Sequence, residues 1–302
     1  MKRKIAFFLL IAVVSACCLA LCACNVQIKM EVGTLLEKCD EKIQLNNVVD
    51  GAKISVESDV YALCFCVGET DVLSVDYVQN ENFSVSAQVT QQNQTYQVEI
   101  VEERKTLSAM DFTDLYLVVS IPQGWKNCQV EIDAKTSLVQ LDGLTLDKLD
   151  VTTTTGRVLI CECYSAKEVE VNVTTGSVRI DDLQAPSLVA CATTGSVNVK
   201  GDFIESVTIK TTTGSVSAKC QTKNFFVSVD TGSVNFTVSA EKITVSADTG
   251  SVRGRVKGDE NLYAIEAHTE TGRNNLKNKQ GDGTHSLTVN TETGSVDVTF
   301  EK

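Results

Sequence analysis

Histidine and proline occur twice each in 302 residues, and tryptophan once. With only His268 and His285, a histidine-based catalytic triad and a histidine-ligated zinc site both lack their raw material. Two prolines, Pro122 and Pro186, leave long stretches in which no backbone N–H is missing, so strand ladders can run on unbroken. Basic residues are also short: 27 Lys and Arg face 39 Asp and Glu, a net charge of −12. That balance argues against nucleic acid and anionic headgroups as partners, because both need a basic footprint. The Leu-x-x-Leu-x-Leu phrase of leucine-rich repeats and the Gly-Gly-x-Gly-x-Asp phrase of calcium-binding rolls are absent. So is the Gly-x-Ser-x-Gly nucleophile elbow.

What is present is a repeat. Thr-Gly-Ser-Val, or a close variant, recurs around Gly156, Gly176, Gly195, Gly214, Gly232, Gly250, Gly272 and Gly294, at steps of 20, 19, 19, 18, 18, 22 and 22 residues. A degenerate ninth copy, Thr136-Ser137-Leu138-Val139, lies 19 residues before Gly156. Val, Ile and Thr alternate with polar residues around each glycine, the period-two pattern of half-buried strands. A unit this short cannot bury its apolar face alone, whereas stacked units can. The chain is therefore expected to be all-β: a β-solenoid of about nine coils of ~19 residues, a rod on the order of 40 Å long. Equivalent residues lie above one another, with the Val of Gly-Ser-Val inside and threonine columns bonding through their hydroxyls. Residues 24–129 lack the repeat but read mostly as strand, with a short helix expected over 34–45. They form a β-rich region capping the first coil, and 130–302 form the solenoid.

Met1-Lys2-Arg3-Lys4 followed by the apolar run from Ile5 to Leu21 reads as an export signal, residues 1–23. Leu21-Cys22-Ala23-Cys24 fits the cleavage site of a bacterial lipoprotein, with Cys24 lipidated and palmitate among its acyl groups. Val14-Ser15-Ala16-Cys17 also fits, so Cys17 is the alternative. An uncleaved anchor and ordinary secretion are the other readings. In each case the bulk of the chain lies outside the membrane, and as a lipoprotein it sits on the extracytoplasmic face of the cell membrane. Removing residues 1–23 takes away Lys2, Arg3 and Lys4 and no acid, leaving −15. Eight further cysteines (Cys39, Cys64, Cys66, Cys128, Cys161, Cys163, Cys191 and Cys220) hold no fixed place in the repeat. Buried small hydrophobes, some disulfides and a metal site all remain open for them.

Asp230-Thr231-Gly232-Ser233 and Asp248-Thr249-Gly250-Ser251 match the aspartic-protease phrase. That chemistry needs two carboxylates facing each other across two lobes, and here both belong to consecutive repeats. The acidic column Asp230, Asp248, Glu270 and Glu292 is a weak candidate for a shared cation such as Ca²⁺, beside the plainer reading of a hydrated stripe. No metal or other cofactor is called for. The longer terminal coils carry insertions at 274–279 and 281–283, which mark a loop face for binding.

The cleavage-site phrase, the strand Leu117-Val118-Val119-Ser120-Ile121-Pro122 and the Thr-Thr-Gly-Ser-Val coils together resemble a bacterial family of unknown function, the "putative adhesin" family, over about residues 50–302. The resemblance implies an exported or membrane-anchored β-solenoid with a surface role and no catalysis. It also implies that some members are linked to envelope-stress signalling. No catalytic residues carry over, and the coils at Gly156 and Gly272 depart by placing Arg after the glycine. The leading expectation is a lipid-anchored, non-enzymatic adhesion or binding module whose ligand is an envelope, cell-wall or host-surface component. The alternative is a structural or envelope-stress regulatory component without external ligand. A polysaccharide-active enzyme is a weaker third, since the solenoid shows no Asp/Arg/Lys cluster and few aromatics.

Overall fold

The computed structural model describes residues 30–105 and 114–301. It is a β-solenoid of about nine turns of ~19-residue coils. Each coil has two legs. In one coil, residues 207–213 run into Gly214, Val216–Gln221 forms the second leg, and the chain turns at Thr222 and Lys223 into Asn224–Thr231 of the next. Legs stack in parallel and in register, Val207 on Phe225 and Phe225 on Ile243. The two legs press their inward side chains together into one core that runs from Leu45 to Val298. Val158, Val178, Val197, Val216, Val234, Val252 and Val296, each two residues after its glycine (or Gly-equivalent corner), are all buried there. Size is compensated along the columns. Phe236 stacks between Ala218 and Gly254, and a methyl on Gly254 would lie 2.1 Å from the Phe236 ring.

The glycines turn the chain between legs with φ between +140° and +156°. This conformation suits glycine, but steric contact makes the stronger demand. A Cβ on Gly176 would sit 1.6 Å from the carbonyl oxygen of Gly156, and one on Gly195 would sit 1.5 Å from that of Gly176. Three residues before each glycine the side chain points inward. At Thr211, Thr269 and Thr291 the hydroxyl donates to the neighbouring coil's glycine carbonyl, as from Thr269 to Gly294 at 2.9 Å and from Thr291 to Gly250 at 3.2 Å, whereas the buried Thr153 hydroxyl has no such partner. These hydroxyl bonds therefore run from threonine to backbone, not from threonine to threonine as the sequence suggests. The Thr-Thr columns next to the glycines lie on the outside, where water serves them.

At the proximal end the parallel stack continues beyond the repeats. Lys53–Ser58 and Ala62–Gly68 form a layer lying directly on Gln129–Asp142. Thr95–Arg104 and Tyr116–Pro122 lie on the other side of that layer. The stack is closed by antiparallel strands: Phe83–Gln92 on Thr95–Arg104, Leu73–Tyr77 on Tyr116–Pro122, and Glu41–Leu45 on Leu73–Tyr77. The expected helix over 34–45 is corrected. Val32–Lys38 is helical and Glu41–Leu45 is a strand, because Ile43 and Leu45 find an antiparallel partner in Val75 and Leu73. The helix sets Leu35 on the outward face of the second leg, against Cys64, Cys66 and Val118. Just before it, the fully buried Gln140 amide accepts from the Met30 N–H at 2.8 Å and donates to the Met30 carbonyl at 3.0 Å, fixing the entering chain to the first repeat coil.

The distal end departs from chain order. Lys242–Thr249 pairs with His285–Thr293, and His285–Thr293 pairs on its other side with Tyr263–Thr271. The last coil is thus inserted between the two before it, and the glycines stack in the order Gly250, Gly294, Gly272. The segment 274–283, expected to form a binding loop face, instead straps this end. Lys279 bridges Ile265 through both backbone bonds, Asn278 accepts from the Ala267 N–H at 2.8 Å, and Asn275 bonds the edge of Val296–Glu301. These bonds cover edges that would otherwise offer open pairing.

Candidate functional site

The corner opposite the glycines carries the most distinctive surface. Seven or eight residues after each glycine from Gly156 to Gly232 the side chain points out, the next points in, and the one after points out again. The first outward row is a single ladder column: Tyr164 pairs with Gln184, Gln184 with Asp202, Asp202 with Gln221 and Gln221 with Ser239. Lys257 continues it in the next coil. The second row holds Pro186, Ile204, Lys223 and Glu241, with Leu262 beyond. Between the rows lies a floor of Ser165, Ala185, Phe203, Thr222 and Ala240, all buried. Rows and floor enclose a groove of about 660 Å³. With coils ~4.8 Å apart, the five steps from Tyr164 to Lys257 make it roughly 24 Å long.

Three features distinguish this groove. Tyr164, Ile204 and Leu262 are 49%, 66% and 41% exposed, large apolar groups spaced along this one corner. The polar side chains of Gln184, Asp202, Gln221, Lys223, Ser239, Glu241 and Lys257 make no hydrogen bond or ion pair with another described residue. Some surface charges close to it are paired, as in Lys200 with Asp182 and Lys167 with Asp147. The distal end is closed by a rigid wall: the Tyr263 hydroxyl donates to the Ala240 carbonyl at 2.6 Å, and its ring packs 5.0 Å from His285 and 5.3 Å from Phe300. Reading the repeats from Gly156 to Gly250 at the seventh or eighth residue after the glycine gives this row. The glycine phrase draws attention to the other corner.

The acidic residues singled out by sequence lie on the first leg, away from the groove. They are exposed and stack in the order Asp230, Asp248, Glu292, Glu270, because the final coil is inserted. No group of three or more His, Cys, Asp or Glu close enough to hold a metal ion occurs among the described residues. Asp230 and Asp248 sit on adjacent coils of the same face, not across two lobes. Cys17 and Cys24 fall outside the described residues, and among those described no helix is long and apolar enough to cross a membrane.

The eight cysteines from Cys39 to Cys220 are free thiols, six of them buried. Desolvation, helped by nearby carboxylates, pushes four of these thiols well up: Cys39 to about 11, and Cys128, Cys163 and Cys220 to about 12. A raised pKa leaves the neutral thiol dominant until high pH, so at pH 8 only about a thousandth of Cys39 is thiolate. Alkylation by iodoacetamide of the native protein is expected to be negligible at pH 8 and to rise at Cys39 toward pH 10–11, read by mass spectrometry. Rapid labelling at neutral pH would contradict this burial.

The family described as Toastrack DUF4097 matches residues 52–299. The chain belongs to that family. Solved structures to which the chain is similar include a "putative adhesin" from Bacteroides fragilis, 10% identical, covering 87% of this chain and 99% of its own at a TM-score of 0.41. A "putative lipid binding protein" from Parabacteroides distasonis is 12% identical over 87% and 96%, at 0.42. A "putative cell adhesion protein" from Clostridium sporogenes is 11% identical over 86% and 98%, at 0.30. No curated protein matches.

Proposed function

We propose that this protein is a non-enzymatic binding module of the bacterial cell envelope, lipid-anchored through Cys24 on the extracytoplasmic face, with its ligand held in the corner groove. The observation that carries the reading is the groove itself: exposed Tyr164, Ile204 and Leu262 beside polar side chains with no internal partners. Exposed apolar groups beside polar ones in a concave surface are the usual lining of a binding site. The anchor suits this use. Only five residues lie between Cys24 and Met30, at most about 20 Å of extended chain. Met30 is clipped to Gln140 at the proximal end. The rod would thus be held close to the membrane by that end, leaving the corner groove open to ligand.

Two experiments test the proposal. Cells fed a fatty-acid analogue are expected to label the protein, with label lost in Cys24→Ala and kept in Cys17→Ala; equal labelling of both variants would remove the anchor. Purified protein is expected to co-sediment saturably with isolated cell walls or with host matrix proteins, and Ile204→Asp is expected to weaken that binding roughly tenfold by placing a charge on the apolar wall. Binding untouched by Ile204→Asp would move the ligand out of the groove.

A further inference from the structure

Resting on the groove reading, we propose that the ligand is an extended, neutral, β-linked polysaccharide lying along the rod. Three observations select it. The first is spacing. The wall row Tyr164, Gln184, Asp202, Gln221, Ser239 and Lys257 offers one side chain per coil, every ~4.8 Å. A pyranose ring in an extended β-1,4-linked chain advances by nearly this distance and is flipped over relative to the ring before it, so each ring lies beside one coil, alternate rings present the same face to every second coil, and the groove takes about five rings. A peptide strand lying in the same direction repeats its side chains about every 6.8 Å and falls out of step with the coils.

The second observation is what the groove can bond with. A peptide laid against a sheet is held by backbone pairing. At this corner the backbone groups are already used between coils, as in Gln184 N–H to Cys163 at 3.0 Å, Thr222 N–H to Ser239 at 3.0 Å and Glu241 N–H to Lys223 at 3.0 Å. What remains are amide, hydroxyl, carboxylate and ammonium side chains, the groups that bond sugar hydroxyls. They alternate with Tyr164, Pro186, Ile204 and Leu262, on which the C–H faces of pyranose rings can pack.

The third observation is charge. The walls carry Asp202 and Glu241 against Lys223 and Lys257, balanced on a chain that is otherwise strongly acidic. A polyanionic glycan would face repulsion from the rest of the surface with no excess of cations to hold it, and a basic ligand would find the exposed acidic column on the first leg more attractive than the groove. A neutral chain suffers neither penalty.

The test is calorimetric titration of the full-length protein in detergent with cellohexaose, chitohexaose and maltohexaose, beside co-sedimentation with cell walls. Saturable binding is expected for a β-linked hexasaccharide, weaker binding for the matching disaccharide, and none for the curved α-linked maltohexaose. Ile204→Asp and Gln221→Ala, both at exposed positions, are each expected to weaken binding roughly tenfold with an unchanged melting temperature. If Ile204→Asp abolishes wall binding while no neutral hexasaccharide binds at millimolar concentration, the polysaccharide proposal falls and the groove reading stands. If wall binding survives Ile204→Asp, the groove reading falls and the proposal with it. Equal affinity for maltohexaose would overturn the spacing argument.

Discussion

Gly214→Ala is expected to lower the melting temperature by roughly 10 °C, with far-UV circular dichroism as the readout. The added methyl would lie 1.8 Å from the Gly195 carbonyl oxygen and 2.5 Å from its carbonyl carbon, at a φ of +153°. Neither partner can retreat cheaply. The Gly195 N–H donates to Thr213 at 2.8 Å and the Gly214 N–H to Thr231 at 2.9 Å, so moving one coil's corner strains the next. Backbone strain in this region costs about 1–3 kcal/mol, and each displaced ladder bond adds about 1 kcal/mol. Together they come to about 4 kcal/mol, and a domain of this size loses about 2–4 °C per kcal/mol. Gly143→Ala is the control. Its φ is +67°, but nothing lies within 4 Å of the added methyl, so about 1 kcal/mol is expected. A Gly214→Ala protein melting no lower than Gly143→Ala would show that the coils slide apart more freely than their spacing implies.

The coil was legible because its cause is local and repeated. Each glycine answers to the glycine of a neighbouring coil, so one requirement prints the same letters again and again. The inward valines print likewise. The groove row was hidden for the opposite reason. Tyr164, Gln184, Asp202, Gln221 and Ser239 share a position but not a residue type, because solvent accepts all of them and only a ligand would choose among them. The hairpin of Phe83–Gln92 with Thr95–Arg104 was equally quiet. Its two-residue turn places Asn93 and Gln94 at φ of 51° and 68° without the glycine that usually signals such a turn. The strand Glu41–Leu45 owes its form to a partner more than 25 residues away, which no local pattern records.

The order of the last coils is the clearest case of a long-range choice, and it predicts a sharp result. The phrases at Gly272 and Gly294 are locally alike, so either could stack on Gly250; only the 22-residue steps hint that the path differs. In the structure Asn290 pairs with Ser246 on one side and with His268 on the other. Neighbouring strands lie ~4.8 Å apart, within reach of a disulfide, whereas Ser246 and His268 are two layers apart at about 9.6 Å, beyond it. Under mild oxidation Ser246→Cys with Asn290→Cys is expected to cross-link nearly completely, and Ser246→Cys with His268→Cys is not. Stacking in chain order would give the reverse. Truncation makes the same distinction without new thiols. If coils stacked in sequence, ending the chain at Gly283 would leave Tyr263–Thr271 paired on Lys242–Thr249. In the inserted arrangement it removes the only strand that pairs with Tyr263–Thr271 among the described residues. Amide protection over 263–271 is then expected to fall by about a thousandfold or more in hydrogen exchange, while residues 148–213 keep theirs, because each coil is held chiefly by its immediate neighbours.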